Sequence, residues 1–89
     1  MEFVGVIKEV TANEPVTSKG KSYDKVGILV AQEGVQYPES IGLILFGDKV
    51  QQYPVSVGQK VKAKFNARCN SHNGKLYNEL QCWKIEILP

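Results

Sequence analysis

Hydrophobic residues recur at every second position over much of this chain. The clearest stretch is Lys60–Arg68, where Val61, Ala63, Phe65 and Ala67 alternate with Lys60, Lys62, Lys64, Asn66 and Arg68. Successive side chains of a strand point to opposite faces, so the pattern predicts a strand with its apolar set turned inward. Ser40–Phe46 reads the same way: Ile41, Leu43 and Leu45 form a core face, and Ser40, Gly42, Ile44 and Phe46 form a shallow floor ending in one flat ring. In Tyr23–Val30, Val26, Ile28 and Val30 face the core and Tyr23, Lys25, Gly27 and Leu29 face away. Phe3–Val10 is a β-branched run in which Gly5 marks a bend or a close backbone approach. The last run, Leu76–Ile87, changes parity between Leu80/Cys82 and Ile85/Ile87, which predicts a β-bulge near Trp83.

The connectors have different chemistry. Thr11–Gly20 reads as a loop whose tip, Lys19–Gly20–Lys21, is positive, and Gln32–Glu39 reads as a second loop. Gly47–Pro54 has no period of two; Val50 and Tyr53 lie three apart, Asp48 stands where a helix start favours a carboxylate, and Pro54 ends the segment, so one or two helical turns are expected. Asn70–Lys75 is a polar loop with a strong hairpin signal at Asn73–Gly74. Three strands, a short helix and two strands make an all-β, five-stranded antiparallel Greek-key barrel of the OB-fold plan, with the helix between the third and fourth strands. Gly5 and Gly27 would permit the coiling it needs.

The 89 residues suit one OB-fold domain over 1–89. Apolar residues make up 43% and charged residues 22%, ordinary values for a soluble chain. No apolar run approaches the ~20 residues of a membrane span, and there is no charged-then-apolar leader, so a soluble, cytoplasmic protein without membrane contact is expected. Net charge is only +2, so placement matters more than balance. Lys19, Lys21 and Lys25 form one cluster, and Lys60, Lys62, Lys64 and Arg68 another. Cys69 would sit opposite about Asn78 rather than Cys82 in the final hairpin, so two reduced thiols are expected. Cys69, His72 and Cys82 are too few and too poorly spaced for zinc. No nucleophile pattern, acid–base pair or phosphate-binding glycine loop is evident, so neither enzyme activity, a cofactor nor a small-molecule substrate is expected.

Several segments carry a resemblance: Val4–Gly5–Val6–Ile7, Gly20–Lys21, Leu43–Ile44–Leu45–Phe46–Gly47–Asp48–Lys49, Val57–Gly58–Gln59–Lys60–Val61, and Asn73–Gly74–Lys75–Leu76–Tyr77–Asn78–Glu79. Together the chain resembles single-stranded-DNA-binding proteins of the bacterial and phage OB-fold type, and related small OB-fold proteins of unassigned role. The resemblance implies that the aromatic before the corner glycine, here Phe46, stacks on a base. It departs at Ser40, where a second stacking ring is frequent, and in lacking the acidic tail that recruits replication proteins.

Sequence-tolerant binding of a single strand needs flat rings for bases and cations along the backbone. Phe46, Tyr23 and Tyr77 are the candidate rings, and Lys19, Lys21, Lys25, Lys75, Lys62, Lys64 and Arg68 the candidate cations. Phe46 could instead close the barrel end, and the Lys60–Arg68 face could lie on the far wall. Trp83 is an interface or core residue, or a further ring; Phe3, Phe65 and Tyr53 belong to core or helix packing. Leu29 and Ile44 on the outward face need covering, by bases or by a second subunit, so a homo-oligomer is expected. The expected role is coating single-stranded DNA in replication, recombination or repair. Alternatives are a protein-interaction module without nucleic acid, and an RNA-binding domain.

Overall fold

The computed structural model describes residues 1–89, apart from the side chain of Ser18. Its strands are β1 (Glu2–Val10), β2 (Val16–Ser18), β3 (Lys21–Tyr23), β4 (Lys25–Ala31), β5 (Ser40–Phe46), β6 (Lys60–His72) and β7 (Lys75–Ile87), with one helix, α1 (Asp48–Gln52). Five of the strands close into a ring in the order β1-β4-β5-β7-β6. All neighbours run antiparallel except β5 and β7, which run parallel and meet at a single rung, Ile44 opposite Gln81. This is an OB-fold ring, and its one parallel contact corrects the fully antiparallel expectation.

The alternation in the sequence fills the ring. Ile7, Ile28, Val30, Leu43, Leu45, Val61 and Ala63 are almost wholly buried, joined by Phe65, Cys82 and Ile85. Fully burying one Ile or Leu side chain contributes about 1.5–3 kcal/mol, so this set dominates the stability. Phe3, Tyr53 and Val50 pack against it from the rim, which puts the two aromatics and the apolar edge of α1 where the pattern expects them.

Two irregularities shape the ring. Lys64 pairs with Lys84 but Phe65 pairs with Cys82, so Trp83 is the extra residue of a bulge, at the predicted place. That slip lets Cys82 and Ile85 both reach the interior despite their opposite parity. β1 pairs with β6 through Val6 and with β4 from Val6 onward, so it turns sharply between two neighbours. Gly5 makes this possible: a Cβ there would lie 2.5 Å from the carbonyl oxygen of Ala31.

Three expectations need correcting. Thr11–Gly20 is not wholly loop: β2 and β3 form a small hairpin around Lys19–Gly20, whose φ values of 51° and 75° suit a two-residue turn of type I′. The second predicted strand is correspondingly cut at Asp24, between β3 and β4. The final hairpin is longer than the alternation implied. β6 and β7 stay paired to His72–Lys75, around Asn73–Gly74 with φ 51° and 74°. Beyond Phe65 only β7 still reaches the core, through Leu80, so Ala67 on β6 is exposed rather than inward. The projecting arm raises the radius of gyration to 13.8 Å, against about 12 Å for a compact chain of this length.

Candidate nucleic-acid interface

The outer faces of β4 and β5 form a floor. Register places Lys25 beside Phe46, Gly27 beside Ile44, Leu29 beside Gly42 and Ala31 beside Ser40. The glycines keep this floor low. At Gly42 a Cβ would meet nothing within 4 Å, so the space above it is open. Gly27 is hemmed in by Thr11, whose backbone N–H donates to the Gly27 carbonyl and whose hydroxyl accepts from the Gly27 N–H, both at 2.8 Å. Leu29 and Ile44, which needed covering, are half-buried here.

Above the floor runs a groove with a cavity volume of about 550 Å³, bounded by Glu9 and Thr11 on one side and by Asn78 and Glu79 on the other. A smaller continuation of about 270 Å³ passes Lys25 and Glu14. The size falls within the usual range of about 300–1,000 Å³ for ligand clefts.

One end of the floor carries the rings. Phe46 and Tyr23 stack with centroids 5.4 Å apart and planes 26° from parallel. Phe46 is 37% exposed, so it does not close the barrel end as a core residue. The corner that holds it is set by Gly47, whose φ of 63° is a conformation other residues rarely adopt, and whose N–H donates to the Asp24 carbonyl at 2.8 Å. Asn13 ties the β2–β3 hairpin to the same end: its side-chain oxygen accepts from the Lys25 N–H and its amide donates to Asp24, both at 3.0 Å.

The cations divide into four sets. Lys19 and Lys21 are exposed on the β2–β3 hairpin, on the side of the ring pair. Arg68, Tyr77 and Lys75 share the face of the arm that continues through Glu79 and Gln81 to Ile44. Among the described residues, none of Lys19, Lys21, Arg68 and Lys75 belongs to an ion pair. Lys25 reaches Glu79 at 4.0 Å. Lys62 and Lys64 are not brought to the groove. They lie on β6, across the ring from β4 and β5, and share the Glu2 carboxylate at 3.5 and 3.6 Å. Their place follows from position along β6: Arg68 shares their parity but stands on the arm, whereas Lys62 and Lys64 stand where β6 pairs with β1. Trp83 joins that wall, with the Lys64 ammonium 6.0 Å from its ring centroid.

The groove itself holds what the alternation could not display. Glu9 and Glu79 come from strands far apart in the chain, and only ring closure brings both to one cleft. Glu79 accepts a hydrogen bond from Gln81 at 3.0 Å. The floor is therefore apolar, its rim acidic, and its free cations stand on the two hairpins at either side. Cys69 is exposed opposite Asn78 and Cys82 is buried; both are free thiols, and burial pushes the Cys82 thiol up from its ordinary value. Among the described residues, no helix is long and apolar enough to cross a membrane.

Among solved structures, the chain is similar to the N-terminal domain of PriB protein from Thermoanaerobacter tencongensis, described as dimeric. The two share 18% identity and superpose with a TM-score of 0.63, over 100% of this chain and 94% of that one. At that identity the likeness is one of fold. No curated protein matches the sequence. A family model does match, over residues 2–86, and by that match the chain belongs to the DUF3127 family, a domain of unknown function.

Proposed function

We propose that this OB-fold domain binds single-stranded nucleic acid, DNA foremost, along the β4–β5 groove. The observation that carries the reading is the Tyr23–Phe46 ring pair, Phe46 exposed and Tyr23 half-buried, at the end of an open floor between two hairpins that bear unpaired cations. Bases would lie on Phe46 and Tyr23 and over the low floor at Gly42. The backbone would pass Lys19 and Lys21 at one side and Arg68, Lys75 and the Tyr77 ring at the other, with Lys25 between. Each stacked base is worth about 1–3 kcal/mol, so this ring pair with a few cations suffices for useful affinity. The domain acts by binding, not by catalysis, in a replication, recombination or repair setting. The similarity to a PriB domain described as dimeric supports a homo-oligomer.

The test is a fluorescence anisotropy titration with oligothymidine across a salt series, with the matched RNA alongside. Lys19, Lys21, Arg68 and Lys75 together would give log affinity against log salt a slope of roughly −3. Tighter binding of the RNA would move the assignment to RNA, since the 2′-hydroxyl is what distinguishes the two. No binding at low salt would end the reading.

A protein-interaction role is the second reading. The acidic rim formed by Glu9, Glu14 and Glu79 favours it, because carboxylates repel phosphates. It predicts no retention on single-stranded DNA and co-purification with a protein partner that Gly42→Trp abolishes.

A further inference from the structure

We infer that the β4–β5 groove discriminates among bases, favouring those with amino groups, guanine first, over thymine and uracil. This rests on the strand-binding reading above and adds to it a preference that rings and lysines alone do not supply.

The groove has room for a base but little tolerance for a phosphate. Its rim is lined by Glu9 on one side and by Asn78 and Glu79 on the other, and the two acids stand on the outward faces of their strands. Lys25 lies near Glu79, and the Thr11 hydroxyl is already engaged, accepting from Gly27 and donating to the Ala12 carbonyl at 3.2 Å. A strand laid here keeps its phosphates outside, toward the hairpin cations, and turns its bases inward.

An inward base then meets acceptors. A carboxylate accepts hydrogen bonds and cannot donate them when ionised. Guanine offers N1–H and the 2-amino group side by side, two donors for the two oxygens of one carboxylate. Cytosine and adenine offer one amino group each. Thymine and uracil flank their single N3–H with two carbonyl oxygens, which a carboxylate repels. Glu79 is the better placed of the two acids, because it is half-buried and held by Gln81, and a partly desolvated charge makes the stronger hydrogen bond.

The experiment compares labelled oligothymidine with the same oligomer carrying guanine at every third position, and with inosine in place of each guanine. The guanine oligomer should bind on the order of tenfold tighter than oligothymidine, and inosine, which lacks the 2-amino group, should lose most of that gain. In Glu79→Gln and Glu9→Gln, measured separately and together, the ratio should fall toward one. Equal affinity for the thymine and guanine oligomers in the unaltered protein overturns the inference while leaving strand binding intact. A guanine preference that survives in the double variant overturns it as well. If no oligomer binds, the strand-binding reading fails and the preference falls with it.

Discussion

Tyr23 and Phe46 come from opposite sides of the Asp24 break, one on the β2–β3 hairpin and one at the end of β5, and stack at 5.4 Å. The ring pair thus links a peripheral hairpin to the floor it borders. Removing either ring with Ala should weaken oligonucleotide binding by about five- to a hundredfold, as expected for one lost base stack. The salt slope should not change, because no cation is removed. Phe46 is partly exposed, so the denaturation midpoint should move little. An unchanged affinity in both single variants would show that the rings serve only to dock the hairpin.

Gly42 and Gly5 make a contrasting pair. Gly42 has open space above its Cα and no positive φ, so Gly42→Trp should leave the urea midpoint near that of the parent while filling the groove and abolishing binding. Gly5→Ala should do the reverse. Its methyl group would collide with the Ala31 backbone, at a cost of about 1–3 kcal/mol read from the same urea curves. A Gly42→Trp variant that binds as well as the parent would remove the groove from consideration.

The lysines should separate by location. Charge removal at Lys19, Lys21, Arg68 or Lys75 should each reduce the salt slope by about 0.7. The double change Lys62→Ala with Lys64→Ala should leave it intact for short oligomers, since both face Glu2 on the far wall. Isothermal titration at several salt concentrations distinguishes the two sets. Equal loss from both would mean that the strand contacts the outer face of β6.

The two thiols should differ sharply toward iodoacetamide. Cys69 is exposed and should react in the native protein, whereas buried Cys82 should react only on unfolding, so mass spectrometry should find one label before denaturant and two after. Burial raises the Cys82 thiol above its ordinary 9.0, so the unfolded chain loses that proton first. Stability should therefore fall as pH rises past about 9, and a Cys82→Ala variant should lack that part of the decline.

Much of the fold was legible because one side of each ring strand is buried. Strict alternation named Val61, Ala63 and Phe65 as core, and a parity switch located the Trp83 bulge. Alternation does not say where the buried layer ends, which is why Ala67 continued the pattern after the barrel had stopped beneath it. The β2–β3 hairpin leaves no such mark, because Lys19–Gly20 forms its turn without the Asn–Gly pairing found at Asn73–Gly74. Phe46 was visible from its place before the corner glycine. The acids at Glu9 and Glu79 were not, because their meeting is a product of ring closure between distant strands, which no local pattern encodes.

The seam of the ring lies under the groove, since β5 and β7 touch through the lone Ile44–Gln81 rung while every other junction is a ladder. A cylinder so fastened should part along that line before any other. A guest resting on Gly42 and Ile44 while gripping Glu79 would lie across the join like a clasp. Amide exchange along the β5 and β7 margins would then slow on loading, and resistance to heat would track how full the cleft is.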